Sequence, residues 1–392
     1  MENLVGTPVR GNNLKFRDKD IEEIIRRLSS GNVMLLGLRR IGKSSVMWGV
    51  HDHMPDTWHV KYNDLQGMLN PTDFFSVLLK SMPPNSELKL FKFWKKTKAI
   101  PDRVLNYIKK HFIKLGGTEI SNDIINYWDP LTEGIEHIIK EFKQPILIIL
   151  DEFPYLLENM LKSGIKPNVI EMMLGQLREW RNLYSHFHLF IGGSISLDHF
   201  LSRNGISGST ISDFSRYFLP PLEKQEAEMF LKELAESYDL YWYDESMIEE
   251  SLSLVEDYYP FFLQALFMYV RSHGGPKGQT LNDIHENYFI PSIEKDFFKT
   301  FLDRLKNHYT KDQQQMARII LGGISNQPNY VANYSQIRDD VSKLSINQDI
   351  DLDDLLSELV WDEFLTFNSR TNEYSFVSRF VAKRWKATRG RK

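Results

Sequence analysis

Apolar residues first recur with a helical period at Ile21, Ile24, Ile25 and Leu28, after Phe16-Arg17-Asp18 and before Gly31. This predicts a surface helix leading into a strand. Val33 to Leu36 are continuously apolar and read as that strand, and SSVMWGVHDHM after Lys43 reads as a helix. Trp58 to Leu65 alternates as a second strand, and residues 71–82 form a helix starting near Pro71. Residues 131–143 are a further helix. Ile146 to Leu150 are five apolar residues in a row, the pattern of a strand buried on both faces of a parallel sheet. Residues 167–184 place Ile170, Met173, Leu174 and Leu177 on one helix face. Phe187 to Ile191 is the next strand, and Arg216 to Leu219 a short last one, closed by Pro220-Pro221.

Beyond that point the alternation stops. Residues 223–292 are helical throughout, interrupted at Tyr259-Pro260-Phe261, where Pro260 suits the first turn of a new helix. Three helices follow, Lys311 to Leu321, Tyr334 to Ser342 and Leu352 to Glu363. Phe364 to Asn368 and Glu373 to Val377 then flank a turn at Ser369 to Asn372. Three helices and a hairpin are the order of a winged helix. The chain therefore divides into an α/β domain (1–222, with an insert at 88–117), a helical lid (223–309) and a winged-helix-like domain (310–392).

Composition narrows the chemistry. The 392 residues are 42% hydrophobic, carry a net charge of −4 and include no cysteine. Disulfides, thiolate catalysis and cysteine-ligated zinc are excluded. The start, MENLVGTPVRGNN, has no apolar core of a signal peptide, and the apolar runs are far too short for a membrane span. A soluble cytoplasmic protein is expected.

The residues joining the first strand to its helix carry the most specific signal. Gly37, Gly42, Lys43 and Ser44 fit G-x-x-x-x-G-K-[ST], the P-loop. Glycines let backbone N–H groups turn inward around phosphate oxygens, and the helix N-terminus faces the same anion. Arg40, Ile41 and Ser45 complete the expected nucleotide-binding set. Lys43 would reach the β- and γ-phosphates, and Ser44 would ligate Mg²⁺. The strand at Ile146 ends in Asp151-Glu152, a Walker B pair. Asp151 would hold Mg²⁺, mostly through water, and Glu152 would orient and deprotonate the attacking water. Ser194, after Gly192-Gly193, reads either as a sensor of the γ-phosphate or as a plain turn serine. Arg216 reads either as an arginine finger onto a neighbouring subunit's nucleotide or as a surface arginine. The segment ahead of the first helix reads either as a connection or as a cover over the base.

Two stretches are charged. Residues 88–117 carry Lys89, Lys92, Lys95, Lys96, Lys98, Arg103, Lys109, Lys110 and Lys114 against one acid, Asp102, with Phe91, Phe93, Trp94, Tyr107 and Phe112 between them. This is a helical insert with core-facing aromatics and solvated lysines, a nucleic-acid surface, or a contact for an acidic partner. The third winged-helix helix is acidic through Asp349, Asp351, Asp353, Asp354, Glu358, Asp362 and Glu363, which opposes phosphate contact and favours a protein-interaction or autoinhibitory role. Basic charge returns at Arg379, Lys383, Arg384, Lys386, Arg389, Arg391 and Lys392, a tail that is solvated by default.

Together GLRRIGKSS, LDEFPYLL, IGGSISLDHF, a lid containing Pro260-Phe261 and a terminal winged helix resemble the archaeal-type ATPases, P-loop proteins of the STAND branch related to AAA+. The resemblance spans roughly residues 7–385. It implies an α/β fold with a parallel five-stranded sheet, the P-loop strand central and the Walker B strand not its neighbour in sequence, plus a helical lid and winged helix. It implies ATP and Mg²⁺ at Gly37, Gly42, Lys43, Ser44, Asp151, Glu152 and Ser194, with slow hydrolysis coupled to conformation. Tyr259 stands where the group carries a glycine. The expected function is a regulatory ATPase whose nucleotide state controls self-association or an effector bound at the winged helix. The alternative is a nucleic-acid-dependent AAA+ ATPase, a loader or transposition helper, using residues 89–114 and the basic tail.

Overall fold

The computed structural model describes residues 1–69, 71–97, 128–193, 195–343 and 350–389. They form two compact units. One, the sheet unit, comprises Arg17–Leu36 and Lys43–Leu219; the other, the helical unit, comprises Met1–Phe16, Gly37–Gly42 and Pro220–Lys392. The sequence-based boundaries after residues 222 and 309 differ from this division. Residues 223–309 and 310–392 share one unit, and the chain's first residues and the P-loop's own loop belong with them.

The sheet unit is built on five parallel strands: β1 (Asn32–Leu36), β2 (His59–Asp64), β3 (Ile146–Asp151), β4 (Phe187–Gly192) and β5 (Phe214–Phe218). Their order is β2-β3-β4-β1-β5. β1 therefore lies inside the sheet between β4 and β5, and β4, rather than β1, holds the middle position. All six residues of β3 and of β4 are buried, as their unbroken apolar runs require. The edge strand β2 instead mixes half-buried and exposed positions, with no fully buried residue.

Helices cover the sheet. Helix Asp18–Leu28 buries Ile21, Ile24 and Leu28 and carries acids in its first turn and Arg26 and Arg27 in its last, matching its dipole. Helix Pro167–Leu183 buries Ile170, Met173, Leu174 and Leu177. Its Arg181 side chain, 2% exposed, grips Asp213 just ahead of β5 with two hydrogen bonds of 2.7 and 2.8 Å and donates to the Thr210 carbonyl at 3.0 Å.

Helix Ser86–Thr97 settles part of the basic stretch. Trp94 is fully buried, Phe91 lies against it, and Phe93 stacks on His137 with ring centroids 4.7 Å apart. These aromatics pack in the sheet unit, while Lys92, Lys95 and Lys96 face solvent and Lys89 pairs with Glu141. Of the three readings left open for this stretch, Phe91, Phe93 and Trp94 follow the one with core-facing aromatics and solvated lysines rather than a stacking platform. The rest of that stretch, with Lys98, Arg103 and Lys114, lies outside the described residues.

In the helical unit, residues 1–16 lie on helices Lys224–Ser237 and Pro260–His273 through Lys15–Glu233 and through the Asn3 amide on the Gln264 carbonyl. A continuous helical run follows over 281–308, with π-helical turns at His285–Phe289 and Glu294–Phe298. The winged helix contains a strand that periodicity did not show, β6 (Val331–Asn333), which pairs with the hairpin of β7 (Leu365–Asn368) and β8 (Glu373–Phe376) in the order β6-β8-β7. Its acidic helix, Leu352–Trp361, is explained locally: the Asp351 carboxylate accepts the Asp353 and Asp354 N–H groups, and acids at a helix N-terminus complement the dipole.

Among the described residues the basic C-terminal segment is a packed helix rather than a solvated tail, and Arg391 and Lys392 lie outside them. Arg379–Arg389 is a helix that buries Phe380, Val381, Ala382 and Trp385. Lys383 pairs with Glu256 and Arg384 with Glu294. Half-buried Asp257 caps this helix, accepting the Ser378 hydroxyl and the Arg379 and Phe380 N–H groups.

Candidate active site

Within the sheet unit, β1 leads into the loop and Lys43 opens helix Lys43–His53. Lys43 and Ser45 are buried and Ser44 is half-buried. Two strands away, β3 ends at Asp151. Asp151 is 4% exposed, and among the described residues its side chain makes two hydrogen bonds and no ion pair. Oδ2 accepts the Tyr62 hydroxyl at 2.6 Å, and Oδ1 accepts the Glu152 N–H at 2.9 Å. A buried carboxylate is normally paired with a cation or metal. Asp151 has no side-chain cation partner among the described residues, and each oxygen retains a lone pair. With the Ser44 hydroxyl this is a hard-oxygen donor set, and it fits Mg²⁺.

Tyr62 was not singled out by its sequence. It lies on β2, whose Asp64 is in register with Asp151, and its ring stacks on Trp48 with centroids 3.7 Å apart. Burial, then the charge of Asp151, pushes its phenol far above the ordinary tyrosine value, so it stays a donor. Only the strand order, which puts β2 beside β3, gives Tyr62 its meaning.

Glu152 follows with φ of 55°, in the left-handed region that costs a non-glycine residue about 1–3 kcal/mol. The chain then turns at once into helix Phe153–Lys162, with Pro154 in its first turn. This tight exit is possible because Gly193, after β4, has no side chain. A Cβ there would stand 2.7 Å from Pro154 Cδ and 3.4 Å from Glu152 Cα. Ser194 itself lies outside the described residues.

Arg216 sits within β5. Its guanidinium is half-exposed and bound to Asp198, with Nη2 2.5 Å from Oδ1 and Nε 3.4 Å from Oδ2. Beside it, Tyr217 donates to Asp20.

The loop Gly37–Gly42, part of the helical unit, has positive φ at Gly37 (141°), Arg40 (69°) and Gly42 (107°). Space around Gly42 is open, so glycine serves there for its backbone angle. The Ile41 N–H donates to the Leu38 carbonyl, the Arg40 guanidinium lies 4.4 Å over the Phe261 ring, and the Gly37 N–H donates to Glu363 Oε1 at 2.6 Å. Burial, then Arg39, lowers the Arg40 pKa.

A strand, a positive-φ glycine loop, a helix opening on Lys-Ser and a parallel strand ending in Asp-Glu define the α/β fold of the AAA+ P-loop NTPases. No protein-family profile and no curated protein matches the chain. Among solved structures it is similar to the Walker-type ATPase of Pyrococcus abyssi, with 18% identity over 98% of this chain and 99% of that one and a TM-score of 0.63. It is also similar to the ORC2 protein of Aeropyrum pernix in its ADPNP–ADP complexes, with 12% identity over 98% and 97% of the two chains and a TM-score of 0.51. At these identities the likeness is one of fold. Among the described residues, no helix is long and apolar enough to cross a membrane.

Proposed function

We propose that this chain binds and hydrolyses ATP as a regulatory ATPase whose nucleotide state controls self-association or an effector protein. The observation that carries the reading is Asp151, a buried carboxylate without a side-chain cation partner among the described residues, at the end of a fully buried strand. Lys43 holds the β- and γ-phosphates, while Gly37, Arg40, Ile41, Gly42 and Ser45 belong to the surrounding phosphate-binding segment. Ser44 and Asp151 hold Mg²⁺, which when bound neutralises charge on the phosphoryl oxygens. Glu152 orients the attacking water and takes its proton. Ser194 is assigned the sensor position. Arg216 is assigned to the subunit contact, and its use there requires release from Asp198. Support for self-association comes from β5, an edge strand on which Phe218 is 65% exposed beside Arg216.

Size-exclusion with light scattering, apo and with ATP–Mg²⁺, on the wild type and Glu152→Gln, with and without single-stranded DNA, tests the reading. Expected is an ATP-dependent assembly that Glu152→Gln retains, with phosphate release reduced by about 10²–10⁴-fold. An assembly that requires DNA would replace this reading by a nucleic-acid-dependent ATPase working through exposed Lys92, Lys95 and Lys96. Absence of Lys43-dependent nucleotide binding would end both.

A further inference from the structure

We propose that Glu363 is a latch on the phosphate-binding loop: its carboxylate holds the loop's first N–H and must leave before a nucleotide is bound tightly. The inference rests on the nucleotide reading above and assigns the regulation of that site. The contact lies within the helical unit, where the Gly37 N–H donates to Glu363 Oε1 at 2.6 Å across 326 residues of sequence.

Three features show that the carboxylate is held in place. Arg304 Nη1 stands 4.0 Å from Glu363 Oε2 and donates to the Asp362 carbonyl at 3.1 Å, so a half-buried cation fixes both the acid and its backbone. Glu363 has φ of 59°, the left-handed position that ends a helix and that glycine or asparagine adopts at less cost. The turn is closed by the Glu363 N–H on the Val360 carbonyl and the Phe364 N–H on the Leu359 carbonyl. A glutamate at this strained position delivers a charge to the loop that a cheaper residue would not.

The chemistry follows from the loop's purpose. A phosphate-binding loop works by turning its N–H groups toward an anion. Glu363 is a tethered anion already engaged on one of them, and its charge opposes the arriving phosphates. Binding and latch release are therefore linked, and the coupling is reciprocal. A released Glu363 frees the turn between the acidic helix and β7, which carries the nucleotide state into the winged helix.

The test is titration of Mg²⁺ and a fluorescent ATP analogue into the wild type, Glu363→Gly and Glu363→Gln, each with and without Lys43→Ala, together with hydrogen exchange at the Gly37 amide. Glycine suits the positive φ, so Glu363→Gly keeps the turn. It is expected to bind about tenfold more tightly and to exchange the Gly37 amide faster without nucleotide, in line with the loss of one charge-assisted hydrogen bond. Glu363→Gln retains an acceptor without the charge and should fall between. Lys43-dependent binding that is unchanged or weaker in Glu363→Gly would overturn the latch. No Lys43-dependent binding in any variant would remove the nucleotide reading and the latch with it, and amide exchange would then report the bare contact.

Discussion

Replacing Gly193 by alanine puts a methyl carbon 2.7 Å from Pro154 Cδ, 3.3 Å from its Cγ and 3.4 Å from Glu152 Cα. Carbon atoms pack at about 3.5–4.0 Å, so the nearest overlap approaches 1 Å. The proline ring cannot rotate out of the way, because its φ is fixed and it sits in the first turn of a helix. Relief must come from moving that turn, and Glu152 moves with it. Overpacking of this kind costs about 1–3 kcal/mol, which for a unit of this size lowers Tm by roughly 2–10 °C. Hydrolysis should suffer more than stability, since a displacement of about 1 Å in a catalytic group costs on the order of 10²-fold. Nucleotide affinity, which the proposed function assigns to the loop and Lys43, should hardly change. Melting curves, steady-state phosphate release and analogue titration read the three quantities. Gly192→Ala is the control. Its Cβ would meet the Met47 Sδ atom at 2.9 Å, the far end of a flexible side chain that can swing aside, so its effects should be smaller. Wild-type Tm and turnover in Gly193→Ala would refute the packing argument.

Tyr62→Phe removes one of two donors to Asp151 and should raise the Mg²⁺ concentration for half-maximal hydrolysis by about 10–100-fold, measured by Mg²⁺ titration at saturating ATP. Asp213→Ala leaves the Arg181 guanidinium buried and unpaired at that site and should cost about 3–5 kcal/mol in denaturant unfolding. Burial raises the Asp213 pKa, but the Arg181 pair outweighs it and the net shift is downward. The stability this supplies is therefore complete above the ordinary carboxyl value of about 3.9 and lost as pH falls through the lower folded value, a dependence that Asp213→Asn should lack. Asp257→Ala removes the cap of helix Arg379–Arg389 and should cost about 1–2 kcal/mol, with faster amide exchange at Arg379 and Phe380.

Most of the sheet was legible because fully buried parallel strands leave continuous apolar runs, as in Ile146 to Leu150. The proposed site residues Lys43, Ser44, Asp151 and Glu152 could be named because phosphate and metal chemistry fixes the spacing of such motifs. What was hidden has specific causes. Tyr62 gains its role from a strand neighbour that local pattern cannot name. The helical run over 281–308 passes through two π turns, each holding one extra residue, so its apolar period slips and residues beyond 292 no longer read as the same helix. Strand β6 has three residues, too few for alternation to register. The acidic stretch around Asp351 looked like a surface to be explained by partners, and part of it is a helix cap. Nothing in the sequence relates Glu363 to Gly37, because that contact depends on the fold of the whole helical unit.

The helical unit is assembled from three separated stretches, and the sheet unit ends at Leu219. On a ribosome the sheet unit is complete long before the acid that meets the Gly37–Gly42 loop has been made. At about 5–20 residues per second, Glu363 is synthesised roughly 7–30 s after Leu219. During that interval the nascent loop lacks Phe261 for roughly the first third and Glu363 throughout. The latch is therefore set last, by the final tenth of the chain, and a truncated product that stops before the wing would carry the nucleotide motifs without their restraint.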